Sequence, residues 1–243
     1  MRLDAYLAQA GVSQSRNKAQ TIIKEGLVHV NGVLVKKPAY DVDESDKVDV
    51  AEHKSYVSRA ALKLDAFFDE IAFSPKGKTA LDIGSSTGGF TQVLLERGVK
   101  EVNCVDVGSN QLHHSLRKDE RVYLYENCDI RKFQSEKAFD LVVSDVSFIS
   151  LLHILDDIDR LATADIVLLF KPQFEVGREA KRDNHGVVLD TKVIELAMKK
   201  FEDTCDSKGW NLIKKSPSKL TGKEGNLEYC YYFKIKNKTR ILD

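Results

Sequence analysis

The spacing of apolar positions changes character twice along this chain. Leu3, Tyr6, Leu7 and Ala10 recur at helical intervals, and Gly11 stops that run. A second helical stretch goes from about Ser15 through Ala19, Ile22 and Ile23 to Gly26. Alternation then takes over in Leu27–Val30 and Val33–Val35. The Asn31-Gly32 pair between them is the strongest short signal for a hairpin turn. Val48 and Val50 alternate inside an acidic stretch, 41–52, which predicts a closing strand. Some fifty residues make only a marginal core. Residues 1–52 therefore read as a small α+β module, followed by a linker at 53–57.

Beyond the linker, apolar runs of strand length alternate with amphipathic stretches. Strands are expected at 79–83, 102–106, 122–126, 139–144, 165–170, 210–214 and 229–236. Helices are expected at 57–70, 89–97, 109–118, 150–161 and 190–208. Such alternation predicts an α/β domain over 58–243, a Rossmann-like, doubly wound sheet of seven strands. No helix separates the last two strands, so the final one should be an antiparallel edge strand.

Composition narrows the class. The chain has 243 residues, 42% hydrophobic and 30% charged, as a globular protein does. No apolar run approaches membrane length, and Met1–Ala5 lacks a signal peptide's apolar core. Cys104, Cys128, Cys205 and Cys230 form no C-x-x-C pair and read as free thiols. A cytoplasmic protein without stable membrane association is the expectation. Net charge is zero, yet it is unevenly spread. Residues 1–37 hold six bases against two acids, and Lys208–Arg240 hold nine against two. Local basic faces of this kind can meet phosphate while the whole stays neutral.

The densest chemical signal is Ala80-Leu-Asp-Ile-Gly-Ser-Ser-Thr-Gly-Gly-Phe90. It reads as a buried strand, a tight loop and a helix start, the place where open α/β sheets bind nucleotide-like ligands. Glycines at Gly84, Gly88 and Gly89 would let a ligand approach the backbone. Ser86 stands where a dinucleotide fingerprint needs its second glycine, and Asp82 would repel a phosphate. An acid there suits the amino group and sulfonium of S-adenosylmethionine instead. Asp106 ends the next strand 24 residues after Asp82, near the spacing at which an acid meets ribose hydroxyls. The loop residues Ser85, Thr87 and Phe90 belong to the same candidate site.

Two further ionisable residues fall at strand ends. Asp145 follows Phe139–Ser144, and Lys171 follows Ile166–Phe170. Lys63 lies in a predicted helix, and Glu228 opens the last strand. Methyl transfer to a ribose hydroxyl needs in-line approach and removal of a reluctant proton. A lysine beside another cation, partly desolvated, can serve as the base.

The first module, with Arg2-Leu-Asp, Ser15-Arg16, Ala19, Ile22, Gly26 and Val28-His-Val-Asn-Gly32, resembles the alpha-L RNA-binding module of a small-subunit ribosomal protein. Lys63, Asp145, Lys171 and Glu228 match the Lys-Asp-Lys-Glu tetrad of FtsJ-like ribose 2′-O-methyltransferases. The words Tyr56-Val-Ser-Arg59, Ser144–Phe148, Phe170–Glu175, His185–Val188 and Gly225–Glu228 resemble the TlyA family. That resemblance implies an S-adenosylmethionine-dependent cytidine 2′-O-methyltransferase acting on bacterial ribosomal RNA or ribosomal subunits. Large-subunit rRNA is the first expectation and small-subunit rRNA the second. It further implies Lys171 as base, Asp145 near the methyl, and Lys63 and Glu228 as orienting residues. The cofactor would rest on the loop 84–90, with Asp106 at its ribose and Asp129-Ile130 at adenine. Ser15, Arg16, Lys18, Lys24 and Arg59 would face RNA.

Other chemistries find less support. After Phe139–Ser144 there is no Asn/Asp-Pro-Pro-aromatic loop to grip an exocyclic amine. His113 and His114 have no third ligand nearby, so no metal is expected. An RNA-binding ribosome-assembly factor and a membrane-active haemolysin are the alternatives.

Overall fold

The computed structural model describes residues 1–13, 15–24, 26–51 and 56–236. The chain divides into two compact units, Met1–Ser55 and Tyr56–Asp243. Of the expected linker, 53–55 lie outside the described residues, as do Lys238 and Arg240 of the C-terminal basic run.

In the first unit, helix α1 (Leu3–Gln9) and helix α2 (Arg16–Lys24) cover a small sheet. Strand β1 (Val28–Val30) lies between β2 (Val33–Leu34) and β3 (Val48–Val50), antiparallel to both. Asn31 and Gly32 have φ of 51° and 80°, the left-handed pair that a two-residue hairpin turn demands. The Asn31 amide also fastens this turn to the third strand, donating to Asp46 and accepting from the Lys47 N–H. Leu3, Leu7, Ala19, Ile23, Val28 and Val30 form the core.

The second unit contains α3 (Arg59–Glu70), β4 (Thr79–Ile83), α4 (Gly89–Glu96), β5 (Glu101–Val105), α5 (His114–Arg117), β6 (Val122–Tyr125) and β7 (Phe139–Ser144). There follow α6 (Leu155–Leu161), β8 (Ala162–Phe170), α7 (Pro172–Glu175), α8 (Thr191–Ser207), β9 (Trp210–Pro217) and β10 (Tyr229–Ile235). The seven strands lie in the order β6-β5-β4-β7-β8-β10-β9. The expected reversed strand is β10, antiparallel to both neighbours and one place in from the edge. Strand order reverses between β4 and β7, so their carboxyl ends open the crevice in which such sheets bind ligands. Alternate residues feed two cores: Leu81, Ile83 and Val142 on one face, Ala80, Leu141 and Val143 on the other. Tyr231 and Tyr232 are buried packing residues, their hydroxyls donating to Glu202 and Asp165.

Three elements depart from the expected pattern. The helix expected at 109–118 is only His114–Arg117. The Asp106 carboxylate accepts the Gly108 N–H at 2.7 Å, and Asn110 adopts φ of 56°, so the preceding residues form a turn. The helix at 150–161 is split: Ser150 caps a 3₁₀ turn, Leu151–His153, before α6 begins. The short α7, directly after Lys171, escaped the sequence reading. Pro172 at its first position has no N–H to lose there and favours a helix start.

Candidate active site

Four loops meet at the carboxyl edge of the sheet. The loop after β4 carries Gly84 to Phe90, and the ends of β5, β7 and β8 deliver Asp106, Asp145 and Lys171. Because β7 and β8 are parallel neighbours, Asp145 and Lys171 emerge side by side. The Lys171 Nζ lies 2.7 Å from the Asp145 carboxylate and donates to the Ser147 hydroxyl at 2.8 Å. Lys63, on α3, donates to Glu228 at 2.5 Å, and both are buried. Gln173 reaches the other Glu228 oxygen at 3.5 Å.

The two pairs form one electrostatic cluster. Burial pushes the Asp145 carboxyl up from its ordinary value, and the Lys171 cation pulls it back; Lys63 pulls the same way and Glu228 opposes. Lysines this deeply buried are held by their carboxylates, since an unpaired buried ammonium is costly.

Two cavities flank the cluster. One, of about 450 Å³, is lined by Ser58, Arg59, Lys63, Ser85, Phe90 and Lys171 among others. The second, of about 600 Å³, runs past Asp106, Gly108, Cys128, Asp129 and Ile130. Gly84, Ser86, Asp145 and Ser147 border both, so the two meet at Asp145, the carboxylate paired with Lys171. Each falls in the size range of small-ligand sites.

The expected cofactor residues are distributed unevenly over these cavities. Gly84, Ser85, Ser86, Thr87, Gly89 and Phe90 line the first; Asp106, Asp129, Ile130 and Asp145 line the second. The Asp106 oxygens accept the Ser86 and Gly108 N–H groups, each at 2.7 Å, which ties the two loops together. Asp129 is forked by Arg131, which holds its carboxyl down to about 2. Asp82 lines neither cavity. It is fully buried beneath the loop, where the Thr91 hydroxyl donates to it at 2.6 Å. Its place in the sheet makes it a support of the loop and not a ligand contact.

The glycines also need a different explanation. At Gly88, with φ of 94°, an added Cβ would overlap Leu116 and Leu112. At Gly89 it would overlap the Ser58 hydroxyl and crowd the Ala61 backbone. Both are thus demanded by the packing of α4 against its neighbours, whatever ligand the loop binds. The Ser85 hydroxyl, by contrast, is buried, partnerless and on the cavity wall. A ligand with polar groups would satisfy it, as the methionine end of S-adenosylmethionine can.

In the N-terminal unit, the Asp4 carboxylate accepts from Arg2 and Gln20 and lies 3.2 Å from Arg16. Arg16 is therefore anchored at one end while half exposed. The Ser15 hydroxyl caps α2 by accepting the Lys18 N–H, and Lys18 and Lys24 are exposed on the same helix.

Residues 56–235 match the FtsJ-like methyltransferase family, and residues 1–48 match the S4 domain. The chain is 46% identical to the 23S rRNA (cytidine-2'-O)-methyltransferase TlyA of Campylobacter jejuni, over 98% of this chain and 100% of that protein. The chain belongs to the TlyA family. Its similarity to the 16S/23S rRNA (cytidine-2'-O)-methyltransferase TlyA of Mycobacterium tuberculosis is 38% identity over 96% of this chain and 89% of that one. Hemolysin A of Brachyspira hyodysenteriae is 40% identical over 97% of this chain and 100% of that protein. The solved structure of a hemolysin-labelled protein from Streptococcus thermophilus superposes with a TM-score of 0.71, at 31% identity, over 99% of this chain and 92% of that one.

Some neighbours of the cluster in this TlyA-family chain were not singled out from the sequence. Ser147 and Gln173 contact the tetrad, and their only advance signal was proximity to Asp145 and Lys171. Phe148 is 91% exposed at φ of 65°, with the Phe174 ring centroid 5.2 Å away. An exposed phenylalanine in a left-handed conformation is uncommon.

Proposed function

We propose that this chain is an S-adenosylmethionine-dependent 2′-O-methyltransferase of a cytidine ribose in ribosomal RNA, with large-subunit rRNA as the first substrate. The observation that carries the reading is the Lys171–Asp145 pair, 2.7 Å apart, where the two cavities meet. When bound, S-adenosylmethionine supplies an electrophilic methyl group on a sulfonium. Asp106 would take its ribose, Asp129 and Ile130 the adenine, and Ser85 and the loop 84–90 the methionine end. Lys171 would accept the proton of the attacking 2′-hydroxyl. Asp145 and Ser147 fix the Nζ and steady the ammonium that results. Lys63 and Glu228 set the field around that proton and shape the acceptor side.

The aromatic rim of Phe148 and Phe174 offers a face on which a base turned out of its helix can stack. Residues 1–52 form the RNA-binding domain of this reading: Arg16, Lys18 and Lys24 meet backbone phosphates, which position without reading sequence. Arg59 does the same at the mouth of the active site. Such a substrate places the work in the cytoplasm. Among the described residues, no helix is long and apolar enough to cross a membrane.

The test is transfer of radiolabel from S-adenosylmethionine to separated ribosomal subunits. Label is expected at a ribose hydroxyl of one rRNA. Lys171→Ala should lower the rate by about 10²–10⁴, the usual worth of a positioned base, with cofactor binding retained. Cofactor binding without transfer to any RNA would sink the reading and favour the assembly-factor alternative.

A further inference from the structure

We propose that Lys223, with Arg59 on the same cavity, grips a phosphodiester flanking the ribose to be methylated. The inference rests on the ribose-methylation reading and adds to it the loop 218–228, whose Lys223 no sequence motif singled out.

Charge arrangement comes first. Arg59 and Lys223 line the cavity that also exposes Lys63, Asp145 and Lys171. Of these cations, Lys63 is neutralised by Glu228 and Lys171 by Asp145. Among the described residues, neither Arg59 nor Lys223 has a carboxylate partner. The cavity therefore carries two surplus positive charges, both on exposed side chains at its rim. A ribose inside an RNA strand brings one phosphodiester on each side. The surplus matches that ligand in sign and number.

The way Lys223 is held comes second. Gly222 donates its N–H to the Asn226 carbonyl at 2.8 Å, and Gly225 donates to the Gly222 carbonyl at 3.0 Å. Asn226, only 4% exposed, accepts the Val188 N–H at 3.1 Å and donates to the Gly186 carbonyl at 3.3 Å. A Cβ at Gly222 would stand 2.6 Å from the Glu228 carboxylate, so this turn lies directly against the tetrad. The backbone of Lys223 is thus fixed relative to Glu228, and through it to Lys63. A long flexible side chain on a rigid base suits a point-charge contact to phosphate. The Thr221 hydroxyl, on the same wall, can add a hydrogen bond.

The test separates affinity from chemistry. Lys223→Ala should raise KM for the rRNA substrate several-fold, with kcat and cofactor affinity unchanged. In direct binding to rRNA, the slope of log affinity against log salt should fall by about 0.7–0.9, the share of one phosphate contact. Lys223→Arg should restore both. Lys200→Ala, on a separate groove along α8, should leave both as in the wild type. Unchanged KM and salt slope in Lys223→Ala, with an active wild type, would overturn this assignment alone. Weakened cofactor binding with unchanged RNA affinity would assign Lys223 to the cofactor's carboxylate and overturn it equally. Absence of transfer by the wild type to any rRNA would remove the underlying reading, a result visible before any variant is made.

Discussion

Asp4 in the N-terminal unit and Asp82 in the methyltransferase unit are both fully covered, yet their surroundings differ in kind. Asp4 lies at the edge of a small unit and is covered by its own donors: Arg2, Arg16 and Gln20. Those partners, the Arg2 bond foremost, hold its carboxyl well below the usual carboxylate range. Asp82 lies in the central strand between β5 and β7, with the Thr91 hydroxyl as donor to one oxygen and no partner for the other. Burial pushes its carboxyl up to about 7, against the pull of Thr91. Coverage alone does not set the charge of a buried acid; the donors that come with it do. One aspartate is a charged staple, the other close to a neutral plug beneath the glycine loop.

Removing the charge at Asp82 should have the largest effect. Its folded value, about 7, exceeds the unfolded value near 4. The stability it contributes is therefore complete below pH ~4 and is lost as pH rises to ~7. Asp82→Asn should flatten this decline, leaving the methyltransferase unit more stable than wild type at pH 8 by about 3–4 kcal/mol and nearly equal at pH 4. Denaturant midpoints at the two pH values measure it, and equal pH slopes in both proteins would refute a raised Asp82. Next in size is Thr91→Val, which deprives Asp82 of its donor. A loss of about 1–3 kcal/mol is expected at pH 8, where the acceptor is charged, and less at pH 5. A larger loss at pH 5 would mean that Thr91 acts through packing.

The smallest effect belongs to Asp4→Asn. Asp4 titrates low in the fold, so its contribution is complete above pH ~4 and declines progressively as pH falls toward the depressed folded value. Solvent screens the half-exposed arginines, so the variant should lose under about 1 kcal/mol at pH 7 and less than that at pH 2. Hydrogen exchange in α1 and α2 reads this unit by itself.

These two aspartates also show where sequence reading succeeds and where it stops. Local signals were legible: Asn31-Gly32 made its hairpin, and apolar runs ending at Ser144 and Phe170 placed Asp145 and Lys171 on neighbouring strand ends. The Lys63–Glu228 contact spans 165 residues, and no periodicity predicts it; family resemblance placed both residues in one tetrad without pairing them. Asp82 was misjudged because a strand-end acid beside a glycine loop looks alike whether it faces the ligand or the sheet. The pleat decides: Asp82 shares its face with Ala80 and Cys104, and its partner Thr91 comes from α4. The helix expected at 109–118 shrank because a local turn, the Asp106 carboxylate accepting the Gly108 N–H with Asn110 left-handed at φ 56°, competes with helix formation there.

Strand β10 gives the molecule a sense of order in time. It lies between β8 and β9, so β8 has an open flank until residues 229–235 pair with it. Glu228 stands at the start of that strand, while Lys63 sits on the first helix of the unit. During synthesis, Lys63 must wait for almost the whole domain before its counter-charge arrives. A chain interrupted before β10 would expose the apolar edge of β8 and leave a buried lysine without its acid. The last strand thus acts as a completion signal, coupling the assembly of the active site to the closing of the sheet.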